Sequence, residues 1–419
     1  MRSARRSAAF AVVLGIVVVG CGSGSVHGRS AADSSGVVAV SSSAALAGDH
    51  WSQLPPAPIT PRMDAAVAWT GTHLLVWGGV SSDRSDATLY ADGASYDPTT
   101  KQWTTLPAAP ISARTEMGWV WTGSSLVVFG GSGSASTAGT GDPLSDGAIY
   151  SPSAHSWRKL PAGPLSPRFN PQLVWTGHEV LVIGGDPPNL PVDGPGYATG
   201  EAAYDPSRNR WTKLPEMPMT AGHEVRHLRA MVTDRGIYVG QLWQHIITDG
   251  NTTELDAGTD FVVYDPAHNT WAKRQTSAVT LDDQPSGLDG VTVAGDQLLV
   301  LPGQGWHTDE STYPAALGGH GYRLDLATGA WTAMSAGPID EADPIGVWTG
   351  SALLEYDATT TSSLNGGPTT GPGESAVWDP TSDTWTALAT APGAPLGDNA
   401  VWAGDQLLEW GTSGLSFGP

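Results

Sequence analysis

Tyr96-Asp97-Pro98-Thr99-Thr100-Lys101-Gln102-Trp103-Thr104-Thr105-Leu106-Pro107 is the stretch around which the chain is built. It returns as Tyr150-Ser151-Pro152 leading to Trp157 and as Tyr204-Asp205-Pro206 leading to Trp211. Tyr264-Asp265-Pro266 leads in the same way to Trp271, Leu324-Asp325-Leu326 to Trp331, and Trp378-Asp379-Pro380 to Trp385. In every copy the first aromatic or apolar residue stands seven positions before the Trp. Trp51, followed by Leu54-Pro55, opens the series with the same tail. Tryptophans spaced by 52 to 60 residues mark an internal repeat, and a repeat decides the architecture before any local propensity does.

A second landmark keeps the same period. Gly71, Gly123, Gly177, Gly236, Gly295, Gly350 and Gly404 each mark a short turn, and four of them close a Trp-Thr-Gly string at Trp69, Trp121, Trp175 and Trp348. Glycine supplies the positive φ that a tight hairpin requires. After the turn comes an apolar run, Leu74–Trp77, Leu126–Phe129 or Val180–Ile183, ending in Gly78-Gly79, Gly130-Gly131 or Gly184-Gly185. A long polar loop follows, then the Tyr-Asp-Pro strand, a turn and the Trp strand. Each unit therefore holds four short strands, and no stretch carries a helical period. Apolar runs of four fit strands packed on both faces.

Seven turn glycines and seven Trp strands predict an all-β fold, a seven-bladed β-propeller. The C-terminus holds two strands of a blade, Asn399–Ala403 and Gln406–Trp410, without a Trp strand, while Asp49–Leu54 is a Trp strand without partners before it. The N-terminal strand is therefore expected to pair with the C-terminal strands and close the ring. The remaining strand of that blade comes either from Gly414–Phe417 or from residues 37–46.

The order of Gly pair, Tyr and Trp in a repeat of this length resembles the kelch family. The resemblance runs from about residue 44 to the end and is strongest in the first three full blades. Later copies lose the Gly pair, reading Gly240-Gln241, Pro302-Gly303 and Tyr356-Asp357. It extends to the seven-bladed central domain of galactose-oxidase-type enzymes, whose copper radical site needs a Cys crosslinked to a Tyr. The one Cys of this chain is Cys21, so that chemistry is excluded here, and no cofactor is expected. A closer enzymatic analogy is the kelch sialic-acid mutarotases, which use arginines and acids without a cofactor.

Residues 1–21 read as a lipoprotein signal peptide. Arg2, Arg5 and Arg6 precede an apolar core from Ala8 to Val19, too short to span a bilayer. Val18-Val19-Gly20-Cys21 resembles a bacterial lipobox, in which the Cys21 thiol receives the lipid. The Arg5-Arg6 pair leaves both general and twin-arginine export open. Residues 22–43, rich in Ser, Ala and Gly, are expected to be a flexible tether, and residues 44–419 the propeller. The expected location is the outer face of the bacterial cell membrane. Cys21 being the sole cysteine, disulfides are absent. Removing the three leader arginines takes the formal charge from −21 to −24, which disfavours nucleic acid and leaves the lipid as the one expected membrane contact. A monomer is expected.

In a propeller the connections from one blade to the next and those between second and third strands open on one face. The first set contributes Arg62, Arg114 and Arg168, then His223, Arg226, His227 and Arg229, then Asp282 and Asp283, then Asp340, Glu341 and Asp343, and finally Asp398 with Asn399. This order predicts a mouth cationic on one arc and anionic on the other, suited to a polar or zwitterionic ligand. Kelch repeats also carry Arg at this point for contacts between blades, and both readings stand. His223-Glu224-Val225-Arg226-His227 matches the zincin string, which needs a helix to bring its histidines together. Here it sits at a blade junction leading into a strand, so protease chemistry and a metal site are not expected. Asp249-Gly250-Asn251 resembles the opening of a calcium loop without its later ligands.

No catalytic set emerges. The leading expectation is a lipid-anchored propeller that binds a carbohydrate or protein partner through its loop face. The alternative is a cofactor-free carbohydrate enzyme of the mutarotase or epimerase type.

Overall fold

The computed structural model describes residue 46 and residues 50–81, 87–134, 141–188, 200–218, 224–249, 252–274, 291–301, 321–338, 344–357, 361–363, 366–369, 374–390, 400–411 and 414–418. Within them lie seven four-stranded antiparallel sheets. Blade 1 is Ala66–Trp69, Leu74–Trp77, Gly93–Asp97 and Gln102–Thr105, from innermost to outermost strand. Blade 2 (Gly118–Trp121 to Ser156–Lys159), blade 3 (Gln172–Trp175 to Arg210–Lys213) and blade 5 (Val291–Ala294 to Trp331–Ala333) repeat it closely. Blade 6 runs from Pro344–Trp348 to Thr384–Ala387, with a small hairpin, Thr361–Ser363 and Gly366–Thr369, between its second and third strands in chain position. Neighbouring innermost strands lie within 8 Å of one another around the whole ring. The connections between first and second and between third and fourth strands define a turn face. The other connections define a loop face.

Blade 7 closes the circle as the two chain ends predict. Its strands are Ala400–Trp402, Leu407–Trp410, Gly414–Gly418 and, outermost, His50–Gln53. The third strand is thus the C-terminal one. His50 pairs with Gly418 and Trp51 with Phe417, so both ends of the described ring lie on the turn face. Leu46 is already buried, packed with Leu407, Phe417 and Tyr356 where blades 6 and 7 meet.

The repeat has a physical cause. Tyr96, Tyr150, Tyr204 and Tyr264 sit directly across the ladder from Trp103, Trp157, Trp211 and Trp271, with ring centroids 4.9 to 5.1 Å apart. The turn between them ends on a left-handed residue: Lys101, His155, Asn209, Asn269 and Asp383 all have φ between 45° and 56°. The Tyr204 and Tyr264 hydroxyls each donate to the following Asn209 or Asn269 carbonyl at 2.7 Å, and Trp378 Nε1 donates to Asp383 at 2.9 Å. The Asp before the Pro accepts backbone N–H groups inside the turn, as Asp97 does from Thr99 and Asp379 from Thr381 at 2.8 Å. Aspartate in that position stabilises the turn by imitating a backbone carbonyl.

Five of the seven outer Trp side chains then reach out of their own blades. Trp103 Nε1 donates to Pro55 O, Trp211 to Pro161 O, Trp271 to Pro215 O, Trp385 to Ser335 O, and Trp51 to Ala389 O, all at 2.9 Å. The acceptor is always the carbonyl four residues after the Trp of the preceding blade. Trp157 departs from the pattern: its N–H is buried without an acceptor among the described residues, and its ring packs at 5.2 Å from Trp77.

Blade 4 departs most from the expected long polar loops. Its strands are Glu224–Thr233, Gly236–Asp249, Thr252–Asp265 and Thr270–Arg274. The second and third pair without interruption from Ile237↔Tyr264 to Asp249↔Thr252. The outermost strand pairs only as far as Phe261, and the innermost follows to Gln244. Nine residues, Gln241–Asp249, therefore continue past the blade as an arm of roughly 30 Å on the loop face.

A second departure is buried. Two residues beyond the partner of Trp69 or its counterpart, the second strand carries Val76, Val128, Val182, Val239 or Val300 in blades 1 to 5, but Glu355 and Glu409 in blades 6 and 7. Both glutamates are within 3% of full burial. A Cβ on Gly337 would lie 3.7 Å from Glu355 Oε2 and 3.4 Å from Trp385, so the carboxyl faces the strand-connecting segment of blade 5. Burial pushes Glu355 up to about 8.

Two outcomes follow. Replacing Trp103 or Trp211 by Phe removes an interblade hydrogen bond and costs about 1 kcal/mol beyond the same change at Trp157, read from denaturant melts. Equal losses at all three sites would contradict the role of the N–H. Glu355 holds its proton more tightly folded than unfolded. Its contribution is therefore complete below the ordinary value of 4.5 and drains away as pH rises toward about 8. Glu355→Val, which restores the residue of the other blades, should flatten that slope and stabilise the protein by about 1–3 kcal/mol at pH 8. An unchanged pH profile would show that the carboxyl is solvated.

Candidate functional site

The loop face is built where each chain segment enters an innermost strand. Arg62, Arg114 and Arg168 stand there in blades 1 to 3, and all three are fully buried. Arg62 Nε donates to Thr60 O at 2.7 Å, and its Nη1 to Gly78 O at 3.2 Å and Asp92 Oδ1 at 2.6 Å. Arg114 repeats this with Ser112 O, Gly130 O and Asp146 Oδ1 at 3.1, 3.1 and 2.9 Å. Arg168 does so with Ser166 O, Gly184 O and Gly200 O at 3.1, 2.7 and 3.0 Å. Each guanidinium ties the end of its second strand to the start of its third. Burial lowers Arg168 to about 10, with nearby Glu201 opposing the shift, so it remains charged at neutral pH. Burial would raise Asp146, but Arg114 and Lys159 beside it hold it below the usual carboxylate range.

The Gly pairs belong to the same device. Gly79 N donates to Arg114 O and Gly131 N to Arg168 O, both at 2.9 Å, and Arg62 N donates to Gly411 O at 3.0 Å. The arginine segment of one blade is thereby stitched to the second strand of the blade before it. Gly79 and Gly131 have φ of 95° and 94°, and a Cβ would meet Met63 O at 2.5 Å or Thr115 O at 2.4 Å. Glycine is the residue that fits both demands. The expected cationic arc is corrected accordingly: these three guanidinium groups are walled in, spending donors on carbonyls, and do not line the mouth.

What blades 1 to 3 present instead lies two residues further on. Asp64, Glu116 and Asn170 are half-buried and all left-handed, with φ of 50°, 51° and 47°. Non-glycine residues take this conformation at a cost that surrounding structure must hold in place. Here the hold passes from blade to blade. Thr115 Oγ1 donates to Asp64 Oδ2 at 3.0 Å, Asn170 N donates to Glu116 O at 2.7 Å, and Asn170 Nδ2 donates to Asp186 Oδ2 at 2.9 Å. The result is an acceptor-rich rim suited to N–H and guanidinium donors. Sequence reasoning passed over these residues, although their offset from each arginine is constant.

His223, Asp282, Asp283, Asp340, Glu341, Asp343, Asp398 and Cys21 lie outside the described residues. Arg226 and His227 belong to the strand Glu224–Thr233, which carries a bulge between Val225 and His227. That extended backbone rules out the helix a zincin string needs. Arg229, in the same strand, is buried. Among the described residues no group of three His, Cys, Asp or Glu is disposed to hold a metal ion. The string at Asp249 continues a hairpin rather than a calcium loop, since Asp249 pairs with Thr252. An Asp-Gly step between alternating strands was the signal available in the sequence.

Seven four-stranded blades, the paired glycines and the Tyr–Trp ladder define a kelch-type propeller, and comparison with known proteins agrees. The family described as the KLHDC2/KLHL20/DRC7 kelch-repeats domain matches residues 3–241. The chain belongs to the kelch-repeat family. It is also 31% identical over 157 residues to the Kelch-like protein terF of Aspergillus terreus, a match covering 35% of this chain. The matched part spans 30% of that relative's length.

The buried arginines generate a test. Arg114→Ala leaves three carbonyls and Asp146 Oδ1 without the guanidinium, although Lys159 still reaches Asp146 Oδ2, and should cost about 2–4 kcal/mol of stability. Arg114→Lys should recover little of it, because an ammonium cannot reproduce the fork. A melt unchanged by Arg114→Ala would return the side chain to the surface.

Proposed function

We propose that this chain is a lipid-anchored, extracytoplasmic kelch propeller that binds a partner protein through its loop face. The observation that carries the reading is the blade 4 arm. Strands of 10, 14 and 14 residues replace the strands of four or five residues in blades 1 to 3 and project on the same face as the Asp64–Glu116–Asn170 rim. An extension three-stranded as far as Gln244 and two-stranded beyond it offers backbone edges and an area that a short loop does not. The polarity of the ring supports the anchored arrangement. The described chain begins its outermost strand at His50 on the turn face, so a lipid on Cys21 would leave the loop face pointing away from the bilayer. The charge of −21 suits a basic or neutral partner better than nucleic acid.

A photo-crosslinking amino acid at Thr252, on the arm, should trap a partner on intact cells, while one at Lys101, on the turn face, should not. With the photo-crosslinking residue moved to Asp64 on the loop-face rim, replacing residues 242–259 by Asn-Gly should abolish the crosslink while leaving the melt intact. A crosslink that survives this shortening counts against the arm. Cys21→Ala should shift the protein from the membrane fraction to the medium. A variant still sedimenting with membranes would remove the anchor from the proposal without touching the arm.

A further inference from the structure

The opposite face carries a feature that neither the arm nor the rim uses. Trp69, Trp121, Trp175, Trp348 and Trp402 are each the last or turn-side residue of an innermost strand. They share one register position, each paired with the first residue of the second strand. Their blades, in the order 6, 7, 1, 2, 3, are consecutive, and the five strands adjoin one another around the channel. In blades 4 and 5 the position holds Val232 and Val293. All five indoles are half-buried, packing one side on the blade cores. They form an arc around the channel mouth on the turn face.

These tryptophans differ from those of the outermost strands in their hydrogen bonding. Five of the outer N–H groups are committed to the neighbouring blade. None of the five inner N–H groups has an acceptor among the described residues, and that of Trp402 is buried without one. The threonine hydroxyls that follow four of them are spent inside their own turns, as Thr70 accepts from His73 N and Thr349 from Ala352 N. The arc thus combines flat apolar surface with unused donors on Trp69, Trp121, Trp175 and Trp348. A hydrocarbon chain would cover the rings and strand the N–H groups, at a cost. A sugar offers C–H faces to the rings and hydroxyl oxygens to the N–H groups. Glu179 and Asp405 stand in the adjoining turns of blades 3 and 7, and the chain is strongly acidic, which disfavours acidic sugars.

We infer that the tryptophan arc on the turn face is a binding site for a neutral saccharide chain, separate from the loop-face site. It rests on none of the loop-face arguments. The test is calorimetric titration of the full chain with cellohexaose, chitohexaose and maltohexaose. At least one should give a saturable isotherm, weakened about tenfold or more by Trp121→Leu and by Trp175→Leu. Asp64→Asn, on the other face, should leave that isotherm unchanged. Hydroxyl-radical footprinting of the unaltered chain supplies a readout that needs no variant: the bound hexasaccharide should protect Trp69, Trp121 and Trp175 from oxidation. Failure of all three sugars to bind at millimolar concentration would overturn the inference. So would binding that neither protects these residues nor depends on them, or tryptophan-dependent binding to phosphatidylcholine vesicles alone.

Discussion

The ring depends on one contact repeated between sheets: an indole N–H reaching across to a carbonyl of the preceding blade. A blade alone is a four-stranded sheet with two apolar faces and cannot bury either. Packing against both neighbours solves that, but apolar packing is not directional. The Trp51, Trp103, Trp211, Trp271 and Trp385 donors, each 2.9 Å from an acceptor at a fixed offset, set the angle at which one sheet meets the next. The buried arginines and paired glycines make the corresponding stitch nearer the channel, between backbone atoms of adjacent blades. One device works at the perimeter and the other near the axis, and between them the apolar strands fill.

Much of this was legible in the chain itself. The seven-position offset from Tyr to Trp encodes a ladder pair plus its turn, and the structure returns that pair in register at Tyr96 and Trp103. The incomplete blades at the two ends predicted the closure, and only the source of the third strand stayed open. Spacing reports such features because strand pairing depends on residue count.

Other features were not legible, for reasons that are physical. An arginine before a strand left a contact between blades and a ligand-facing charge both open, since residue type does not reveal whether carbonyls wait to receive it. Arg62 is fully buried because Thr60 O of its own segment, Gly78 O at the end of the second strand and Asp92 before the third converge on it. Asp64 and Glu116 looked like ordinary loop polars because the left-handed turn that displays them carries no glycine. The blade 4 arm was hidden by the expectation that a repeat varies only in its loops. Glu355 and Glu409 replace valine at positions that the sequence pattern alone would assign to core, and burial rather than solvent sets the proton affinity of Glu355.

The seam in blade 7 gives the molecule a mechanically weak point. Four ladder pairs, from His50↔Gly418 to Gln53↔Leu415, join the outermost strand to the rest of its sheet. A tug on the chain upstream of His50 falls on this ladder at one end, so its bonds part in sequence, like a zipper, rather than sharing the load. Trp51, gripping Ala389 O and lying 5.1 Å from Phe417, is the second tooth of that zipper and the first with a large ring, half-buried against its neighbours. Tension would thus open the disc at a single slit, while the other six sheets, each continuous in the chain, stay shut.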